Sequence, residues 1–172
     1  MASPLNPLPL FGLQFTLSLI IFGMVAKWYI APALSKLPLQ AALVPLFLVH
    51  ALRYLPSSAF APGQVDAKIP MDAVARIAYG DLASAILALI AVVFLRYEWS
   101  GAVAVAWLVN TVTSLDWLYA GYLAASSQLV TYAMGGNWYI INYYVPVIGV
   151  IHVMIFACLI KDRNRSHPLQ AV

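Results

Sequence analysis

The chain has 172 residues, of which 63% are hydrophobic and only 9% are charged. A soluble domain carries about 25% charged residues, so this composition excludes an ordinary soluble globular protein. The net charge is +3, but the basic residues stand singly between apolar runs, as is usual for membrane topology. We therefore expect no nucleic-acid partner. The single cysteine, Cys158, excludes an internal disulfide.

Several apolar runs reach the roughly 20 residues that are needed to cross hydrocarbon. The first three prolines, Pro4, Pro7 and Pro9, predict an extended lead-in over Met1 to Pro9. The segment from Ala125 to Trp138 is too polar and too short to span, which predicts a loop or a surface half-helix. The predicted helices are about 10–30, 38–55, 71–95, 101–124 and 139–160, with outer loops at 56–70 and 125–138.

The predicted fold is an all-α, up-and-down bundle of five transmembrane helices that forms a single domain over residues 1–172. Basic residues decide its orientation, because cytoplasmic loops carry an excess of Lys and Arg. Three basic residues, Arg53, Lys68 and Arg76, fall on one side. We expect that side to be outside, together with the N-terminus, and the C-terminus to be cytoplasmic in a bacterial inner or plasma membrane. The six basic residues on the other side are Lys27, Lys36, Arg96, Lys161, Arg163 and Arg165.

Polar side chains collect at one end of all five predicted helices. In an up-and-down bundle, the C-terminal ends of helices 2 and 4 lie beside the N-terminal ends of helices 1, 3 and 5. The opposite halves of helices 3, 4 and 5 carry no ionisable side chain except Cys158. Intramembrane ionisable residues mark functional sites by default. The candidate residues are His50, Arg53, Arg76, Tyr79, Asp81, Asn110, Asp116, Tyr119 and His152.

Asp81 is the residue that most needs a partner. A carboxylate at its depth in the membrane carries a large free-energy cost unless it is paired with a counter-charge, protonated or hydrated. Small residues at helical spacing around it, from Ala78 to Ala88, predict that this face points into the bundle. Arg53 or Arg76 is the expected counter-charge. Such an ion pair could serve only helix packing, or the carboxylate could bind a ligand or handle a proton, and the sequence leaves both open.

The two intramembrane histidines permit a b-type haem with His50 and His152 as axial ligands. The helix rise places them about 10 Å apart in depth, and no paired-histidine spacing recurs. Ligand spacing for a metal is also missing. We therefore expect no haem, no other cofactor and no metal.

Three functions are compatible with this pattern. The favoured one is a pocket in the outer half of the bundle that binds a lipid or a lipophilic small molecule, with an apolar floor and a polar mouth. The second is a membrane-embedded isomerase or cyclase, in which Asp81 or Asp116 would act with His50 as acid and base. The third is an accessory subunit of a membrane complex. Membrane lipids are expected partners in each case, and a homo-oligomer or a membrane-complex partner is compatible with all three.

Overall fold

Helices are the regular secondary structure of the described part of the chain. The structure is a computed structural model that describes residues 6–166, with side chains through residue 164, and these residues contain no strand. A single 3₁₀ turn at Leu129–Thr131 interrupts the last long connection. The long helices are α1 (Pro7–Leu34), α2 (Leu39–Phe60), α3 (Met71–Arg96), α4 (Ala102–Ser126) and α5, which joins Asn137–Tyr139, Ile140–Tyr144 and Val145–Ser166.

Four of these helices are long and apolar enough to cross a membrane: α1, α2, α3 and the Asn137–Asn164 part of α5. Helix α4 has 25 residues but is not among the four. Asn110 and Asp116, with Thr113 and Ser114 between them, make its middle more polar than that of the others. Within residues 6–166 the structure thus contains four candidate spans where the sequence predicted five.

The N-terminal boundary of α1 differs from the prediction. The predicted lead-in ran to Pro9, but the helix begins at Pro7, and the Asn6 side chain caps it by accepting a hydrogen bond from the Leu8 amide at 3.0 Å. Prolines are tolerated in a first turn because the N–H they lack has no partner there. The rest of the predicted lead-in, Met1 to Leu5, lies outside the described residues.

Prolines also shape the helices farther along the chain. Two π-helical turns, Ala26–Ile30 and Ile140–Tyr144, each end two residues before a proline, Pro32 and Pro146 respectively. A proline clashes with the carbonyl four residues earlier, and a wider turn relieves that clash. Helix α1 can therefore continue through the predicted connection at Pro32 to Leu34.

The predicted loop 56–70 begins too early, because its first residues, 56–60, are helical. Residues Ala51–Phe60 form a 3₁₀ extension of α2 that contains Pro56. Pro56 cannot sustain α-helical hydrogen bonding, but Arg53 and Ala59 are buried and hold the segment against the bundle. The other predicted loop, 125–138, is also shorter, because α4 ends at Ser126 and α5 begins at Asn137.

The helices pack as a closed ring with one external helix. Neighbouring pairs are α2–α3, α3–α4, α4–α5 and α5–α2, and α1 packs mainly on α5. The half that contains the Lys27 and Arg96 ends is filled by aliphatic residues such as Leu43, Leu95, Ile155 and Leu159. We call the opposite half, with the C-terminal ends of α2 and α4, the polar half.

Candidate polar site and cavity

Arg53 is the centre of a buried ion cluster in the polar half. Its side chain is 1% exposed, and it contacts carboxylates from two other helices. Nε donates to Oδ1 of Asp81 at 2.8 Å, and Nη2 donates to Oδ2 of Asp116 at 2.6 Å. Nη1 donates to the main-chain carbonyl of Thr113 at 2.8 Å. One guanidinium therefore joins α2, α3 and α4, and we call Arg53, Asp81 and Asp116 the ion triad.

Small residues on α3 let Asp116 approach. Ser84 Oγ donates to Oδ2 of Asp116 at 2.9 Å. A β-carbon at Gly80 would overlap with Oδ1 of the same carboxylate. The predicted inward face of α3 is confirmed, because Ala78, Asp81, Ser84, Ala85 and Ala88 are all buried. The small face thus serves close contact between α3 and α4 as well as the ion triad.

A cavity of about 660 Å³ opens beside the ion triad. Its walls come from all five helices and are mainly apolar, with aromatic rings from Phe11, Phe15, Trp117 and Tyr144. Arg53 and Asp81 are the charged side chains that line it, and the Asp81 side chain is 12% exposed. This volume lies within the 300–1,000 Å³ that is typical of small-molecule sites.

The connection between α4 and α5 and the first residue of α5 line one end of this cavity. Gln128, Leu129, Val130, Met134 and Asn137 contribute to its lining. The two long connections are tied together where the Asp66 amide donates to the Ala133 carbonyl at 2.8 Å. The Ser58 hydroxyl also donates to Oδ1 of Asn137 at 2.9 Å. These contacts fasten the segments at that end of the cavity to one another.

The two histidines form a second buried polar cluster, one turn deeper. Nδ1 of His152 lies 2.8 Å from both Oγ of Ser114 and Oδ1 of Asn110. Ser114 donates its own hydrogen to the Asn110 carbonyl at 2.6 Å, so both neighbours of Nδ1 act as acceptors. A hydrogen on Nδ1 satisfies this geometry. His50 is fully buried, and neither of its ring nitrogens has a hydrogen-bond partner among the described residues.

The histidine rings are much closer than their sequence positions suggested. Their centroids are 4.3 Å apart, whereas the predicted difference in depth was about 10 Å. The 3₁₀ extension begins just after His50, and the π turn precedes His152 in α5, so a uniform α-helical rise does not apply to either helix. An iron held between two imidazoles at about 2 Å from each nitrogen needs centroids about 6 Å apart. The observed pair does not fit axial haem ligation.

The predicted site residues therefore fall into three groups. Arg53, Asp81 and Asp116 meet in the ion triad, and only the first two line the cavity. The second group consists of His50, Asn110 and His152, which we call the histidine cluster. None of its members lines the cavity. The remaining three side chains are exposed: Tyr79, Tyr119 and Arg76, of which Arg76 makes no ion pair within residues 6–166.

Several lining residues were missed by the sequence reasoning. Tyr144 was not among the predicted site residues, yet it lines the cavity and donates to the Val49 carbonyl at 2.8 Å. Asn137 was assigned to a loop. A signal was present, because the lining residues of α5 recur at helical spacing. They are Asn137, Ile140, Ile141, Tyr144, Val145 and Ile148.

Metal ligands are not gathered anywhere in the part of the chain that the structure describes, where no group of three or more His, Cys, Asp or Glu could hold an ion.

Comparison with curated proteins and with solved structures gives no match. A protein-family model, described as "Domain of unknown function (DUF8737)", matches residues 10–160 and so covers the ion triad, the histidine cluster and every residue that lines the cavity except Leu8. The chain belongs to this family.

Proposed function

We propose that this protein is a multi-pass membrane protein that binds a lipid or a lipophilic small molecule in the cavity of its polar half. The observation that carries the proposal is the pairing of a large apolar cavity with the buried charges of Arg53 and Asp81 at its wall. Ligand sites in proteins combine apolar walls with a few convergent polar groups in this way. The opposite half of the bundle, by contrast, contains a large cluster of buried aliphatic residues.

All five helices cross the membrane in this proposal, including α4. With 25 residues, α4 is about 37 Å long, which exceeds the roughly 30 Å of hydrocarbon. Its polar residues Asn110 and Thr113 are buried, whereas Leu108 and Leu115 are more than 60% exposed. Helix α4 therefore presents leucine side chains to lipid and buries Asn110 and Thr113, although Thr111 is exposed. This distribution supports a fifth span despite the lower mean hydropathy.

The proposed orientation keeps the N-terminus outside and the C-terminus cytoplasmic. Arg53 is buried in the ion triad, so it contributes nothing to the charge of the outer loops. Lys68 and Arg76 remain on that side, against the six basic residues assigned to the cytoplasmic side, of which Arg165 lies outside the described side chains. Without Arg53, the count is six basic residues against two, which supports this orientation more strongly than six against three.

Filling the cavity tests the binding proposal. Gly121 lines the cavity, and a β-carbon built there meets no atom within 4 Å. Gly121→Leu should therefore add an aliphatic side chain at the cavity wall without a clash. The matched control is Gly23→Leu, because Gly23 also has open space around its Cα but does not line the cavity.

The probe is dodecanol, titrated into each protein in nanodiscs of neutral phosphatidylcholine and followed by the shift in unfolding temperature. The wild-type protein and Gly23→Leu should be stabilised to the same extent at saturation. Gly121→Leu should lose most of that shift, because its side chain occupies the ligand's volume. An equal shift in all three proteins would mean that dodecanol acts through the bilayer, and the cavity would then not be the binding site.

A further inference from the structure

The ion triad is not electrically balanced. Arg53 contributes one positive charge, while Asp81 and Asp116 contribute two negative charges, so the formal sum is −1. Arg53 and Asp81 are the charged side chains among the described residues that line the cavity. Arg76, the nearest basic residue along α3, is exposed and makes no ion pair within residues 6–166. One positive charge is therefore missing from this end of the cavity.

The ion triad also offers the cavity an unoccupied hydrogen-bond acceptor. The Arg53 guanidinium already directs Nε, Nη1 and Nη2 at protein oxygens. On Asp81, Oδ1 receives the guanidinium, but Oδ2 accepts no hydrogen bond from any described residue. Asp81 lines the cavity, and its side chain is partly accessible. A ligand that enters the cavity meets a carboxylate oxygen that still needs a donor.

An uncompensated charge in a low-dielectric site is costly, and structures retain such a charge when a partner cancels it. A donor that also carries a positive charge would satisfy Oδ2 of Asp81 and balance the ion triad at once. We propose, building on the binding function above, that the ligand is a lipophilic amine bound as its ammonium form. Its head donates to Oδ2 of Asp81, and its hydrocarbon part lies among the apolar and aromatic walls.

Other lipophilic ligands fit less well. A fatty acid or a phosphate head would bring a further negative charge next to Asp81 and Asp116, and each guanidinium nitrogen already donates to a protein oxygen. A long-chain alcohol could donate to Oδ2 of Asp81 but would leave the charge sum at −1. Charge therefore ranks the three head groups as ammonium, then hydroxyl, then carboxylate.

Three probes with the same chain test this ranking: dodecylammonium, dodecanol and dodecanoate, each titrated into the full-length protein in neutral phosphatidylcholine nanodiscs. Equal chain length keeps the apolar contribution constant, and a neutral bilayer avoids surface attraction of the amine. Dodecylammonium should bind about tenfold or more tightly than dodecanol, as expected for a charge-assisted hydrogen bond. Dodecanoate should bind more weakly than either.

Variants then test whether the ion triad causes the preference for the amine over the alcohol. Asp81→Asn removes the free carboxylate oxygen and balances the charges, so the amine and the alcohol should bind within about twofold of each other. Asp72→Asn is the matched control, because Asp72 is exposed in the first turn of α3 and does not line the cavity. It should keep the wild-type ranking. If Asp81→Asn does not fold, Asp116→Asn carries the test, since it balances the charge from outside the cavity lining.

The outcomes separate this inference from the binding function on which it rests. If dodecylammonium and dodecanol bind equally well to the wild-type protein, a proton or a small cation supplies the missing charge and the amine proposal is wrong, while the cavity remains a lipophilic site. If dodecanoate binds best, the site prefers a negative head group and the predicted order of the three head groups is wrong. If none of the probes binds, the proposed binding function fails together with this inference.

Discussion

Nη2 of Arg53 lies 2.6 Å from Oδ2 of Asp116, although 63 residues separate the two along the chain. The contact crosses from the 3₁₀ extension of α2 to the middle of α4. Since the same guanidinium also binds Asp81 on α3, three helices depend on one side chain for their register. The three charges should therefore differ in how much their removal destabilises the protein.

The first prediction concerns that inequality. Arg53→Met leaves the buried carboxylate of Asp81 and the partly buried one of Asp116 without a counter-charge, which should destabilise the protein by about 3–5 kcal/mol. Asp81→Asn leaves Arg53 and Asp116 as a balanced pair and should cost clearly less. In a double-mutant cycle on thermal unfolding in detergent, Arg53 and Asp81 should couple by more than about 1 kcal/mol.

Arg76 provides the control for this cycle. It lies on α3 close to Asp81 in sequence but is exposed and makes no ion pair within residues 6–166. Arg76→Met should change stability by less than about 0.5 kcal/mol and should be additive with Asp81→Asn. Additivity of Arg53 with Asp81 in the same measurement would rule out the ion triad as a stabilising unit.

A second prediction concerns Gly80, against which the carboxylate of Asp116 packs. Gly80→Ala should destabilise the protein, because the new β-carbon would displace Oδ1 of Asp116. This loss should outweigh the roughly 1 kcal/mol that alanine gains over glycine in a helix. Gly23→Ala, where a β-carbon meets nothing within 4 Å, should instead be neutral or stabilising.

The cause can be checked in the same thermal unfolding experiment. Truncation of Asp116 in an Asp116→Ala background removes the atom that the new methyl group would meet. Gly80→Ala should then cost little or become favourable. If Gly80→Ala is equally harmful with and without the Asp116 carboxylate, the close approach of these two residues is not what requires glycine.

Much of the arrangement around Asp81 could be predicted from sequence. The spacing of Ala78, Asp81, Ser84 and Ala88 follows one helical face, and all of these residues are buried. Arg53 was one of two expected partners for Asp81, and the other, Arg76, is exposed. Helical periodicity carries this kind of information because a face that packs closely needs small side chains at regular intervals.

What could not be predicted depends on departures from the regular α-helix. The estimate for His50 and His152 assumed a rise of 1.5 Å per residue, and the 3₁₀ extension and the π turn change that rise. The shared role of Arg53 was also missed, because Arg53 and Arg76 were expected as alternative partners of Asp81 and no sequence pattern indicates that one guanidinium binds two aspartates. The cavity depends on how α1 and the 127–136 connection lie against the ring, which no local pattern specifies.

The histidine cluster gives a third prediction. His50 makes no hydrogen bond to any described residue and packs against the rings of Phe47 and His152. His50→Leu should therefore be nearly neutral or stabilising, since an apolar group replaces unpaired polar atoms. His152→Leu should cost about 1–3 kcal/mol, because Oδ1 of Asn110 loses its partner in a buried site.

Thermal unfolding of the two leucine variants measures this contrast directly, and both should retain the dodecanol response because neither histidine lines the cavity. A large loss of stability in His50→Leu would contradict the prediction. It would indicate that His50 has a partner, such as an internal water, in the folded protein.

The last prediction concerns orientation. The proposed topology places the C-terminus in the cytoplasm and the 61–70 connection outside. A reporter that is active only in the cytoplasm should work when fused after Val172, and one that is active only after export should not. A cysteine in place of Gln64 should react with a membrane-impermeant maleimide added to intact cells, because this residue lies in the outer connection. The labelling is done in a Cys158→Ser background, since Cys158 is the single native thiol.

Two controls distinguish orientation from general accessibility. A cysteine in place of Ser35, an exposed residue between α1 and α2, should react only after the cells are opened, because this connection belongs to the cytoplasmic side. Adding lysines near Gln64 should lower the fraction of correctly inserted protein, since basic residues favour the cytoplasmic side. Labelling of Ser35→Cys but not Gln64→Cys in intact cells would invert the topology. The cavity would then lie toward the cytoplasm, and the amine would have to be supplied from that side, while the ion triad and its charge sum would be unchanged.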